Sequence, residues 1–139
     1  MELQVGVKVL LKNEEGKYLL VRRNPKKYPE VGPKWDIVGG RIDPGSPLLE
    51  NLAREVKEET GLELTGEPRV VGAQDIFNPK FPDRHVVRIS YTSEAKGIPV
   101  IDEESLEWKW FSKEEIKALT QEELDRFFKE LIDTGTVQL

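Results

Sequence analysis

Residues 47–61, PLLENLAREVKEETG, are the one long helix-forming stretch in a chain otherwise full of strand signals, and they constrain the fold more than any other segment. The reading places a helix from Pro47 to about Thr60. Ser46 stands at the N-cap, Pro47 at the first helical position and Gly61 at the stop. Leu48, Leu49, Leu52, Ala53 and Val56 form an apolar arc that must face a core. The partner surface is a sheet. Val5, Val7, Val9 and Leu11 alternate as in a half-buried strand, Asn13 to Gly16 is a turn, and Lys17 to Arg23 returns as the second arm of a hairpin. Residues 24–34 form a proline-rich loop, Trp35 to Val38 a short strand ended by Gly39 and Gly40, and 41–46 another loop. Arg69 to Phe77, His85 to Glu94 and Leu106 to Phe111 read as further strands. Ser112 with Glu115, and Thr120 with Glu123, carry capping-box signals for two closing helices. Leu124, Phe127, Phe128 and Leu131 give the last helix a core stripe. Strands, helix, strands, helices is the order of an α+β domain built on a mixed sheet.

Composition narrows the chemistry. The chain has 139 residues, which fits a single domain over 1–139, and its 21 basic and 26 acidic residues leave a net charge of −5. That balance argues against attachment to polymeric nucleic acid or an anionic membrane by bulk charge. No cysteine and only one histidine are present, which excludes a thiolate zinc site and a multi-histidine metal site within the chain. No apolar run approaches the ~20 residues of a membrane span. The N-terminal residues lack a basic region and a small-residue cleavage site, so the expected location is the cytoplasm. Edge strands of the N-terminal hairpin leave room for a homodimer.

The segment 39–62, GGRIDPGSPLLENLAREVKEETGL, carries the chemistry. Glu55, Glu58 and Glu59 sit at i, i+3 and i+4, within an arc of roughly 100° on a helix. Like charges so spaced repel, and the negative end of the helix macrodipole disfavours them further. A solvated acidic face partly neutralised by Arg54 and Lys57 is one reading. A hard divalent cation that shares its coordination with substrate phosphates is the other. Gly39 and Gly40, which leave backbone free for close approach, tilt the balance towards the second.

Together these residues resemble the Nudix box: Gly, five residues, Glu, seven residues, then Arg-Glu-aliphatic-x-Glu-Glu-x-Gly-aliphatic. Gly40 matches the first glycine, and Arg54 to Leu62 matches the whole second half. The one clear departure is Ser46, where the pattern has Glu. Glu50 and Asp43 are candidates to replace it as partners of Arg54. The resemblance extends over nearly the whole chain and implies a Nudix-like mixed sheet sandwiched between helices. It implies hydrolysis of a diphosphate linked to a nucleoside or similar moiety, with Mg²⁺ or Mn²⁺ as cofactor. By position, Glu55, Glu58 and Glu59 would be metal ligands and Gly39 would add its carbonyl. Arg54 would hold a glutamate. Glu104, in the acidic loop before EWKWF, would serve as general base or further ligand.

A small nucleotide is the implied partner: a nucleoside triphosphate, oxidised ones included, or ADP-ribose or a nucleotide sugar. The stretch 77–91 loosely resembles ADP-ribose pyrophosphatases, with Pro79 near their diagnostic proline. Arg23 and Arg41 are candidates for phosphate contacts. Arg22 should point to the opposite face of its strand. Trp35, Tyr28 and Phe77 are candidates to stack a base, and His85 to contact phosphate, although packing is the commoner role for each. A catalytically weak nucleotide-binding or regulatory module is the alternative, favoured only by Ser46.

Overall fold

The structure is a computed structural model that describes residues 1–29 and 32–139. Residues 30 and 31 of the proline-rich loop lie outside the described residues. The elements run β1 Glu2–Lys12, β2 Tyr18–Arg23, β3 Trp35–Asp36, β4 Val38–Arg41, α1 Leu48–Thr60, β5 Arg69–Phe77, β6 Arg84–Glu94, β7 Ser105–Phe111, α2 Lys113–Lys117 and α3 Arg126–Asp133. The strands form one mixed sheet in the order β3-β2-β1-β6-β5, with β4 also paired to β1 and β7 to β2. β1 runs parallel to β6 along its full length, from Glu2↔Arg84 to Lys12↔Glu94. Its other edge meets β4 antiparallel, which aligns Lys8 with Gly39 and Val7 with Gly40.

Successive residues of β1 and β2 feed two cores. Val7, Val9, Leu11, Leu19 and Val21 pack with Leu52 and Val56 of α1. Leu10, Tyr18 and Leu20 face the other way, into a cluster with Ile116 of α2 and Phe128 and Leu131 of α3. The central strands are therefore buried on both faces, where alternation alone suggests one. Helices on both sides of the sheet cover what a single helix would leave wet.

Two helix readings change. Pro47, not Ser46, is the N-cap of α1, and no side chain caps it. Leu48, Leu49 and Ala53 are exposed, because they precede or flank the stretch of α1 that crosses β1 and β4. Thr120 and Glu123 form a closed turn in which the Glu123 carboxylate accepts from the Thr120 backbone N–H. The helix itself starts later, capped by Asp125, whose carboxylate accepts from the N–H groups of Phe127 and Phe128. The glycine pair lies inside β4 rather than ending the strand before it.

Candidate active site

The site begins where β4 passes under α1. Gly39 has φ 147°, and a Cβ there would fall 1.9 Å from the Val7 carbonyl oxygen, so no other residue fits. Its N–H donates to Glu59 Oε2 at 2.9 Å. A Cβ on Gly40 would lie 2.6 Å from Glu55 Oε2. The two glycines thus admit the carboxylates of α1 flush against the sheet. Gly39's carbonyl accepts from Lys8 Nζ at 3.4 Å.

The three glutamates have graded environments. Glu58 is exposed, Glu55 is partly covered, and Glu59 is 1% exposed. Burial raises the Glu59 carboxyl to about 7, against the opposing pull of Arg23, Lys8 and the Gly39 N–H. Burial also raises Glu55, and the charges of Glu58 and Glu104 push the same way while Arg54 opposes them. Arg54 Nη1 reaches Glu55 Oε1 at 3.1 Å and Glu58 Oε2 at 3.3 Å. Its Nη2 reaches Asn51 Oδ1 at 2.9 Å and Asp43 Oδ2 at 3.4 Å. Among the described residues no three acidic side chains converge as a ready metal cage. Arg54 draws Glu55 and Glu58 to itself, while Arg23 and Gly39 draw Glu59 inwards.

Glu104 lies in the loop just before β7. Its charge, after burial, is what pushes the Tyr28 phenol up to about 12, and it also acts on Glu55, so Tyr28, Glu55 and Glu104 share one neighbourhood. Asn24 ties the two loops, donating from its backbone N–H to the Glu104 carbonyl at 3.0 Å and from its amide to the Glu103 carbonyl at 2.9 Å.

Beside the glycines opens a cavity of about 450 Å³, a size that suits a nucleotide. Lys8, Arg23 and Arg88 form its floor, Tyr28, Phe81 and Phe127 its walls, and Arg41 and Arg84 its rim. The floor is a buried ionic layer centred on Asp36. Arg88 lies 3.0 Å from Asp36 Oδ1, and Arg23 and Lys8 lie 3.2 and 3.3 Å from Oδ2. Burial alone would raise the Asp36 carboxyl, yet Arg88, Lys8 and Arg23 hold it well below the usual carboxylate range. Arg23 also reaches Glu59 Oε1 at 3.6 Å, and Arg88 reaches Asp125 Oδ2 at 3.1 Å. On the rim, burial and the charge of Arg84 lower Arg41. A second hollow of about 720 Å³, between the β1–β2 turn and Glu94–Lys96, contains none of these residues.

A family model described as NUDIX domain matches residues 2–131. The chain belongs to the Nudix family. It is 27% identical over 119 residues, 84% of its length, to an NAD-capped RNA hydrolase of Stutzerimonas stutzeri, of which the match spans 40%. It is 34% identical over 92 residues, 62% of its length, to an RNA pyrophosphohydrolase of Bartonella bacilliformis, of which the match spans 53%. The chain thus spans about half or less of these relatives. The crystal structure of a MutT protein from Methanosarcina mazei superposes with TM-score 0.81 at 27% identity, covering 95% of this chain and 91% of that one.

The expected residues of the Nudix box, Arg54, Glu55, Glu58 and Glu59, are brought together with Gly39, and the charge of Glu104 reaches Glu55. Of the two candidate substitutes at the Ser46 departure, Asp43 is the one that meets Arg54; no ion pair of Glu50 occurs among the described residues. Arg23 and Arg41 line the cavity, whereas Arg22 turns away to Glu107 at 2.6 Å. Trp35, Phe77 and His85 do not line it. Trp35 packs edge-on against Phe111, 4.9 Å between centroids. In β6 the cavity takes Arg84, Val86 and Arg88, so His85, one residue out of phase, points to the other face. There it stacks on Phe77 at 4.5 Å and meets Asp75 at 2.7 Å.

Sequence reasoning missed Lys8, Asp36, Arg88, Asp125 and Asn51, and it assigned Phe127 to the core. Lys8 and Arg88 left a signal: each is a cation flanked on both sides by β-branched residues inside a strand, Val7 and Val9 in one case and Val87 and Ile89 in the other.

Proposed function

We propose that this Nudix chain is a divalent-metal-dependent hydrolase. It would cleave the diphosphate linkage of a nucleotide derivative and release a nucleoside monophosphate. The observation that carries the reading is the shared wall: Gly39 and Gly40 are packed by the α1 glutamates on one side and line a cation-rich cavity on the other. A diphosphate lying over that wall meets both.

The donor set suits a hard cation. Glu58 and Glu104 both bear on Glu55, and the positive charge touching both Glu55 and Glu58 is Arg54. Mg²⁺ or Mn²⁺ held by Glu55, Glu58 and Glu59 would neutralise phosphate oxygens and polarise the reacting phosphorus. The chain's own groups do the rest. Arg41 and Arg84 on the rim, with Arg23 below, offer cations to the remaining phosphate charge. Tyr28, Phe81 and Phe127 provide aromatic walls for a base. Glu104 takes the proton of the attacking water. The water oxygen then bonds to phosphorus, and the bridging P–O bond breaks towards the distal phosphate.

The substrates that fit are nucleoside triphosphates, oxidised forms included, ADP-ribose and nucleotide sugars. The names of the relatives, an NAD-capped RNA hydrolase and an RNA pyrophosphohydrolase, add NAD-capped RNA and RNA pyrophosphate. Incubation of the purified protein with each, with Mg²⁺ or with EDTA, and mass spectrometry of the products tests the proposal. Metal-dependent release of a nucleoside monophosphate is the expected result. No turnover of any of them, with binding still visible by thermal shift, would replace the hydrolase with a binding module.

A further inference from the structure

Asn51 is a buried amide, 1% exposed, on the face of α1 that otherwise packs Leu52 and Val56. An Asn side chain has two acceptor and two donor capacities. All four are used. Oδ1 accepts from the Asp43 N–H at 2.9 Å and from Arg54 Nη2 at 2.9 Å. Nδ2 donates to the Ser46 carbonyl at 2.9 Å and the Pro47 carbonyl at 2.7 Å. One side chain therefore joins the loop that leads into α1, the uncapped start of α1 and the guanidinium of Arg54.

The consequence falls on Arg54. A guanidinium is a rigid plane, so fixing one nitrogen aims the other. Asn51 and Asp43 hold Nη2, and Nη1 then lies between Glu55 and Glu58. Asp43 is exposed and contributes a screened contact at 3.4 Å, whereas Asn51 is buried and directional. A neutral amide does this without adding a negative charge to a site that already has several.

We propose that Asn51 is a positioning residue: its Oδ1 orients Arg54 and thereby sets the spacing of the Glu55 and Glu58 carboxylates for a divalent cation. The inference rests on the hydrolase reading for its metal but not for its geometry.

Three variants test it: Asn51→Ala, Asn51→Asp, which keeps the acceptor and loses the donors, and Asp43→Ala, which removes only an exposed partner. Mn²⁺ binding is measured by electron paramagnetic resonance, alongside kcat, KM and Tm. The ¹⁵N resonances of the Arg54 guanidinium are recorded in metal-free protein. Asn51→Ala should weaken Mn²⁺ binding about 10-fold or more, as outer-shell changes do. It should lower kcat more than KM and collapse the split Arg54 resonances. Asn51→Asp should keep most of the affinity and the split resonances, and Asp43→Ala should change both least.

If Asn51→Asp loses as much as Asn51→Ala, the amide acts as a strap through its donors and the proposal is wrong. Unchanged Mn²⁺ affinity and Arg54 resonances in a folded Asn51→Ala also overturn it. Should Asn51→Ala fail to fold, the Asn51→Asp result decides alone. If the wild type neither binds Mn²⁺ nor turns over any nucleotide, the hydrolase reading fails, while the metal-free Arg54 resonances still judge the role of Asn51.

Discussion

Two clusters of charge meet at Arg23, and they are built on opposite terms. Around Asp36, one carboxylate is enclosed by Lys8, Arg23 and Arg88, all nearly buried, with the shortest contact of each to Asp36 between 3.0 and 3.3 Å. Along α1 the carboxylates outnumber the cation that touches them, and Glu58 lies open to solvent. The first cluster is closed: removing one partner strands the others in a low dielectric. The second is open, with carboxylates held near one another and short of positive charge. A protein gains structure from the first and has room for a ligand cation only at the second.

That contrast can be broken by substitution. The largest effect on turnover is expected from Glu58→Gln. With Glu58 as the proposed metal ligand, its loss should lower kcat about 100-fold or more. The exposed site should leave Tm nearly unchanged. Steady-state kinetics with thermal melts checks this, and a near-wild-type rate would mean that α1 is not the metal site. Asp36→Asn should do the reverse and destabilise the fold, by about 3–5 kcal/mol in urea unfolding, because three buried cations lose the anion they share, and Arg23 and Arg88 keep only their second partners, Glu59 and Asp125. A loss below ~1 kcal/mol would show that the floor is better hydrated than its burial indicates.

Acid sharpens the comparison. The folded-state Asp36 carboxyl lies below its ordinary 3.8, so its contribution is complete above that value and is lost as pH falls through and beneath it. Stability of the wild type should therefore drop below pH ~4, and the drop should be shallower in Asp36→Asn. Equal slopes in the two proteins would assign acid sensitivity to other carboxyls. Mg²⁺ at 100 times its Kd should raise wild-type stability by about 2.7 kcal/mol, and much less in Glu58→Gln. Equal stabilisation would place the cation elsewhere. The smallest effect belongs to Leu49→Ser, within about 0.5 kcal/mol, because Leu49 is 45% exposed despite its place in the apolar arc.

These regions also differed in how far they were readable from sequence. The α1 carboxylates are local: three residues at helical spacing, with Gly39 and Gly40 just upstream, announce themselves within two dozen positions. The strands were legible for the same reason, and Arg69–Phe77 matches its expected bounds. The ionic floor is drawn from β1, β2, β3, β6 and the cap of α3, so no window of sequence contains it. Parity decided the errors in substrate contacts. His85 has the chemistry for a phosphate contact, but Arg84, Val86 and Arg88 own the cavity face of β6, and an alternating strand cannot offer both. Ser46 looked like a cap because Ser-Pro is a good helix start. The backbone instead made Pro47 the cap, and the Asn51 amide donates to the Ser46 and Pro47 carbonyls from inside the helix.

The parallel pairing of β1 with β6 has a consequence in time. In that parallel ladder Glu2 meets Arg84 and Lys12 meets Glu94, so β1 must wait for β6, more than 70 residues later in the chain, to complete it. Closing so long a loop makes such contacts late and slow. The helix that bears the glutamates is complete before β6 has been made, and before Asp125 and Phe127 arrive with α3. A growing chain therefore carries the sequence of its acidic helix well before it has the residues that close the cavity beside it. Cavity and glutamates come to share a wall only once the last helix has docked.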